Sequence, residues 1–303
     1  MKPDPTMSTY LILGATGNTG KPIAQGLLDK GHTVRILVRD ATKAKELTDQ
    51  GAVLFQGDAI DSDLLKRALA GADAAYFLVP PSWGAEDFTA HQREHVDAFI
   101  QALRGSGVKH VVTLSSIGAH LAEGNGVVQG LHYMEQALNG IAGLNTLHLR
   151  STYFMENNLG GVGMVKNMGM MGGAVRPDLK LPMVATRDVA AKALDHLLKL
   201  DFTGHDHEYV LGPREVTLPE VAGVLGAAIG QPDLKYAQFP YDQAAQGMMQ
   251  MGASASMAQR MMEFVECLNS GKILEEARRD AVNTTPTDIK EFAPVFKAVY
   301  EMN

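Results

Sequence analysis

Three glycines spaced by three, in Leu11-Ile-Leu-Gly14-Ala-Thr-Gly17-Asn-Thr-Gly20, constrain this chain more than any other feature. A short apolar run, Tyr10 to Leu13, leads into them. An amphipathic stretch follows over residues 21–30, with Ile23, Leu27 and Leu28 on one face. That is the strand–turn–helix context in which a glycine triplet holds a dinucleotide. Gly14 permits the sharp exit from the strand, Gly17 lets a pyrophosphate approach bare backbone, and Gly20 lets the helix pack close to the sheet. The helix N-terminus offers free N–H groups and a positive dipole end to phosphates. Asn18 and Thr19 add short polar side chains at that mouth. A plain tight turn explains the glycines alone, but not the strand before them or the helix after.

The pattern then repeats. Apolar, β-rich runs at residues 33–38, 52–56, 74–79, 108–114 and 143–149 alternate with helical stretches at 43–50, 62–70, 85–105 and 131–138. Such alternation predicts an α/β fold with a doubly wound parallel sheet. It breaks after Asn157. Residues 8–157 therefore read as a dinucleotide-binding domain, with completion of its sheet by later segments left open. Residues 158–303 read as a smaller α/β substrate or lid lobe with a helical C-terminus. Within it, residues 160–173 carry Met164, Met168, Met170 and Met171 among glycines and predict an adaptable apolar loop. Either a lid over an apolar substrate or an ordinary surface loop fits that composition. Residues 181–184 read as a short strand entering a helix over 189–200, with Asp188 as a cap near its start. Short strands at 208–211 and 235–239, a helix at 218–230, one or two Met-rich helices at 244–268 and a last helix at 291–300 complete the lobe.

Lys+Arg 27 against Asp+Glu 34 gives a formal net charge of −7, so a nucleic-acid backbone is not the expected partner. The single cysteine, Cys267, excludes an internal disulfide and fits a reducing compartment. No motif surrounds it, so it reads as a packed helix residue. The first eight residues lack the apolar core of a signal peptide, and no run reaches the roughly 18 apolar residues of a membrane span. A soluble, cytoplasmic protein without a membrane partner is the expectation.

Arg39-Asp40 closes the second strand at the level of a bound cofactor's adenosine ribose. An acid there holds a free 2′-hydroxyl, whereas an arginine suits a 2′-phosphate by charge-assisted contact. Arg39 comes first and Lys43 lies one helical turn on, which favours NADP(H), with NAD(H) as the alternative. A solvated helix start capped by Asp40 fits the same residues. Asp58, after the third strand, suits an adenine amino group, a cap on the following helix, or both. Pro80 and Pro81 stop the fourth strand at the switch point, against the ribose–nicotinamide half of a cofactor. His91 and His95 stand one helical turn apart without a third ligand motif, so a helix-packing or solvated face is expected and no metal site.

Several of these segments together resemble the NmrA-like group of atypical short-chain dehydrogenase/reductase proteins. They are Gly14-Ala-Thr-Gly-Asn-Thr-Gly20, Val34-Arg-Ile-Leu-Val-Arg39, Gln56-Gly-Asp58, Ser115-Ser116, Leu149-Arg-Ser-Thr-Tyr-Phe-Met-Glu-Asn157, Ala185-Thr-Arg-Asp-Val189 and Val210-Leu-Gly-Pro213. The match covers most of residues 9–240. It implies a Rossmann domain binding NAD(P)(H) and a small lobe closing a substrate cleft. Members include quinone oxidoreductases, isoflavone-type reductases and nucleotide-sensing regulators without turnover. By carry-over, Gly14, Thr16, Gly17, Asn18, Thr19 and Gly20 would hold pyrophosphate, and Arg39 with Lys43 the 2′-phosphate. Asp58 and Ala59 would flank adenine, Val79 and Pro80 the central ribose, and Tyr153 with Phe154 the nicotinamide side. Ser115 would join the cofactor contacts.

One departure matters. The wider superfamily uses Tyr-x-x-x-Lys, where the lysine lowers the tyrosine pKa. Here Ala137 follows Tyr133 at that spacing, and Leu131 stands where the reductase branch places its lysine. His132 is then a candidate proton donor, or a capping or surface residue. Ser116, His132 and Tyr133 are the expected polar contacts to substrate oxygen. The missing base argues against alcohol oxidation and epimerisation, not against hydride transfer to a quinone or similar small aromatic acceptor. The expected function is thus an NADPH-dependent oxidoreductase. The alternative is a redox sensor that binds NADP(H) and acts through a regulatory partner, and a homodimer fits either.

Overall fold

The computed structural model describes residues 7–302. The stretch read as no signal peptide therefore lies, through Thr6, outside the described residues. Strand and helix alternate as β1 (Thr9–Leu13), α1 (Gly20–Asp29), β2 (Thr33–Val38), α2 (Lys45–Asp49), β3 (Val53–Gln56), α3 (Ser62–Leu69), β4 (Ala74–Phe77), α4 (Phe88–Leu103), β5 (His110–Ser116), α5 (Gln129–Asn139) and β6 (Asn145–Ser151). The chain continues through α6 (Val162–Met168), β7 (Met170–Gly173), α7 (Thr186–Lys199), β8 (His205–Val210), α8 (Leu218–Ala228), β9 (Lys235–Gln238), α9 (Tyr241–Gln250), α10 (Ala255–Ser270) and α11 (Ile289–Met302). Among the described residues no helix is long and apolar enough to cross a membrane.

Seven strands pair in the order β3-β2-β1-β4-β5-β6-β8, every pair parallel. This is the doubly wound α/β fold expected of the alternation. β4 shows why a central parallel strand reads as a continuous apolar run: Ala74, Ala75, Tyr76 and Phe77 are all buried, because helices cover both faces. On one face Tyr10, Ile12, Ile36 and Tyr76 meet Ile23 and Leu27 of α1 and Val189, Ala193 and Leu197 of α7. On the other, Leu11, Leu13, Ala75 and Phe77 meet α3, α4 and α5 through Leu65, Phe99 and Met134. The sheet layer therefore takes its last helix and strand, α7 and β8, from beyond Asn157.

The remaining elements form a lobe with its own core, in which Val162, Val165, Met171, Leu225 and Phe296 are buried together. A second, two-stranded sheet, β7 with β9, lies in it. Residues 160–173 are thus not the loop their composition predicts. Val162, Val165 and Met171 have a core to enter, and that core is built by α8, α10 and α11 much later in the chain. Asp188 is likewise no cap: α7 begins at Thr186, and Asp188 accepts from Thr287 N at 3.0 Å and Thr287 Oγ1 at 2.9 Å. The capping acid is Glu156, which accepts from Thr186 N at 3.0 Å and from its Oγ1 at 2.5 Å.

Candidate functional site

Strand order reverses between β1 and β4, where helices leave the sheet in opposite directions and a crevice must open. A groove of about 790 Å³ lies there, within the range of small-molecule sites. Gly14, Thr16, Gly17, Asn18 and Thr19 form its floor. Gly14 has φ 65°, the left-handed turn that only glycine adopts at no cost, and Gly17 N–H donates to Gly14 O at 2.8 Å. Gly20 does not line the groove. A Cβ on it would sit 2.3 Å from Gly14 O, so its bareness lets α1 start directly beneath the turn. Thr19 is buried, and Tyr76 Oη donates to its hydroxyl at 3.0 Å, so that side chain anchors the turn from below.

At one end of the groove stand Arg39, Asp40 and Lys43. Asp40 turns away to cap the following 3-10 turn, accepting from Thr42 N at 3.0 Å and Thr42 Oγ1 at 2.6 Å. Those hydrogen bonds hold its carboxyl below the usual range. Neighbouring Lys21 and Lys45 are spent on Glu46 and Asp49. Among the described residues, the Arg39 and Lys43 side chains have no hydrogen bond or ion pair, which leaves two cations facing the groove. Asp58 and Ala59 line the adjacent wall. Asp58 does not cap α3; Asp61 does, accepting from Leu64 N at 2.9 Å.

A model of the NmrA-like family matches residues 6–293. The chain belongs to the NmrA-like family. It is 30% identical over 256 residues to an NAD(P)H azoreductase of Xenophilus azovorans, across 84% of this chain and 85% of that one. Among solved structures, it resembles the NADPH-dependent quinone oxidoreductase QOR2 of Escherichia coli, complexed with NADPH. There the TM-score is 0.76 at 22% identity, over 94% of this chain and 99% of the other. The triphenylmethane reductase of a Citrobacter species aligns with TM-score 0.75 at 19% identity, over 96% and 100%. At these identities the two structures share the fold with this chain. The family match runs past residue 240, where the motif resemblance ends.

Within this NmrA-like fold, several expected side chains lie outside the groove. Ser115 points to the opposite sheet face and donates to Glu135 Oε1 at 2.5 Å. Glu135 is held by Arg150, Nε to Oε1 at 3.1 Å and Nη2 to Oε2 at 2.6 Å, in a buried ion pair. Burial alone would raise the Glu135 pKa, but the Arg150 hydrogen bonds and neighbouring positive charge lower it overall. Ser116 shares the sheet face of Leu114, which lines the groove, but lies beyond its lining. His132 donates from Nδ1 to Ala119 O at 2.8 Å. Tyr133 donates to Asp97 Oδ1 at 2.6 Å where α5 meets α4, under the Arg93 guanidinium, and its pKa is raised by that bond. The three expected acceptor contacts are therefore not gathered at one place. α5 spends its inward positions on Met134 and Leu138 in the core and Glu135 in the ion pair.

Val79, Pro80 and Phe154 line the groove as expected, and Trp83, His91, His95, Glu156, Asn157 and Thr186, which sequence reasoning did not place there, line it with them. His91 and His95 were visible as a helical pair, but only the sheet order brings α4 against the groove. Asn157 also lines a second, smaller cavity of about 110 Å³ together with Tyr153, Gly161, Met171, Leu218 and Tyr236. Tyr236 Oη is taken, donating to Val175 O at 2.8 Å. The Tyr153 hydroxyl has no hydrogen bond to any described residue, and burial pushes its pKa up to about 12.

Proposed function

We propose that this chain is an NADPH-dependent reductase that passes hydride to a quinone or similar conjugated aromatic acceptor. The observation that carries the reading is Asn157, shared by the long groove and the small cavity. A dinucleotide with its phosphates on the Gly14–Gly20 turn has room for its reactive end beside Phe154, and an acceptor has room beside Tyr153. The free cations at Arg39 and Lys43 favour a 2′-phosphate over a bare ribose. Reductase activity toward small aromatic acceptors is what the azoreductase, quinone oxidoreductase and triphenylmethane reductase carry in their names.

NADPH supplies the hydride, two electrons with one proton. The chain's residues do the rest: they bind, orient two flat partners and exclude water. Tyr153, protonated at neutral pH, donates a hydrogen bond to the acceptor oxygen as negative charge develops there, and solvent supplies the second proton. No strong base is needed, which accommodates Ala137 and Leu131 where related enzymes carry lysine. Anaerobic single-turnover loss of nicotinamide absorbance, with quinones, enones and azo dyes offered to NADPH and NADH complexes, tests this. Rapid loss with NADPH supports it. Tight NADPH binding with no loss across the panel would replace it with the sensor reading.

A further inference from the structure

The long groove contains one arrangement that the cofactor reading alone does not explain. His95 lies on α4, nearly buried, and faces Asp58 across the groove wall with Nε2 3.8 Å from Asp58 Oδ1. His95 Nδ1 is 2.9 Å from the carbonyl oxygen of His91. A carbonyl can only accept, so Nδ1 carries the proton, and in the neutral ring Nε2 is a bare acceptor. The ring is neutral because burial, the largest influence on it, lowers its pKa despite the His91 carbonyl and nearby Asp58 and Glu94. His91 fixes the arrangement: its Nε2–H donates to Pro80 O at 3.2 Å, and its ring packs on His95 at 4.3 Å between centroids. Two acceptors thus face each other, too far apart to bond and with no hydrogen to share. Asp58 Oδ1 also accepts from Ile60 N at 3.3 Å and its side chain stands half in solvent, so the acceptor short of a donor is His95 Nε2, which a ligand donor at the groove wall would supply.

We propose that His95 Nε2 and the Asp58 carboxylate together clamp the two N–H bonds of the adenine amino group, making His95 a specificity-determining residue for the base. The inference rests on the cofactor reading above. One N–H goes to each acceptor, so an adenine nucleotide satisfies both. Hypoxanthine or guanine places a carbonyl oxygen at the same position and would set three acceptors together. Discrimination then comes from what the wrong base leaves unpaired.

The test compares binding of NADPH with binding of its deamino analogue, which carries hypoxanthine, by titration at pH 7.5 without any acceptor. The intact chain should bind NADPH roughly tenfold or more tightly, as a lost polar pair of this kind implies. His95→Phe should weaken NADPH and shrink the ratio several-fold, with Asp58 keeping the remainder. Asp58→Asn, whose amide can donate to the hypoxanthine oxygen, should shift the preference toward the analogue. Equal binding of the two cofactors by the intact chain, or an unchanged ratio in His95→Phe, would overturn the clamp while leaving the cofactor site intact. Failure of the intact chain to bind either one would overturn the cofactor reading and the clamp with it.

Discussion

The groove and the small cavity that meets it at Asn157, the proposed cofactor and acceptor ends of the site, are built by different means. The cofactor end rests on backbone. Gly14, Gly17 and Gly20 fix a turn within seven residues of chain, and Arg39 follows one strand later. The acceptor end rests on side chains brought from far apart: Tyr153 after β6, Met171 on β7, Leu218 on α8 and Tyr236 on β9. The strand that leads into Tyr153, β6, is also held at long range. Arg150 joins β6 to Glu135 on α5, and Tyr209 on β8 donates to Glu276 at 3.0 Å while receiving from Arg150 at 3.3 Å. A site that stores its geometry in a local turn tolerates change elsewhere. One that stores it in a buried ionic frame does not.

The largest expected effect attacks that frame. Glu135→Ala strips the buried Arg150 guanidinium of its two-point partner, leaving only the Tyr209 hydroxyl and the Glu276 carboxylate 3.9 Å away, a loss on the order of 3 kcal/mol of stability. Denaturant unfolding should show the loss, and the dinucleotide Kd of the remaining folded chain should change little. Equal damage to both ends would break the contrast. Next comes acid. His148, in the same strand as Arg150, accepts at Nδ1 from Thr113 and donates at Nε2 to Asn139, and burial pushes its pKa down to about 4. The unfolded chain binds a proton near pH 6.5 and the folded one near 4, so stability falls as pH drops through that window. The loss by its lower edge is about 3 kcal/mol, from the difference between the two pKa values. His148→Gln cannot titrate, and its unfolding free energy should decline less between pH 7 and 4.5. Parallel declines would remove His148 from the account.

The same contrast governs what could be read from the residues alone. The turn, the first six strands and the place of Arg39 and Lys43 beside the groove are legible because each depends on neighbours within a few positions. β2 spans Thr33–Val38 as its pattern predicts. The Met-rich stretch differs from its predicted loop because burial of Val162 and Met171 depends on helices that come only from Leu218 onward. Ser115 was misplaced for a subtler reason: successive strand residues point to opposite faces, and only Leu114's face looks onto the groove. Tyr133 is a candidate by the superfamily's tyrosine spacing and His132 by its place beside the reductase branch's lysine position, but with both lysines absent neither position says where α5 points. Asn157, which links the two cavities, gave no signal beyond its place in a family segment.

At the cofactor end, Arg39→Ala should weaken NADPH by about tenfold to a hundredfold, the worth of a charge-assisted contact of roughly 1.5–3 kcal/mol, and leave NADH nearly unchanged. Equal loss for both nucleotides would withdraw the 2′-phosphate assignment. The smallest effect belongs to the acceptor end. Tyr153→Phe removes one hydroxyl that has no other hydrogen bond, so stability should hold and NADPH binding should be untouched. What should fall is the single-turnover rate with a quinone, by roughly tenfold, since one neutral donor to a developing oxyanion is worth about 1–2 kcal/mol at such a partly open site. A tyrosine whose pKa is near 12 does not titrate between pH 6 and 9. The rate of the unaltered chain should therefore show no break from this group in that range, and the variant should lie below it by a constant factor. A rate equal to that of the unaltered chain would move the acceptor away from Tyr153, and a new pH break in the variant would show that another group had been delivering the proton.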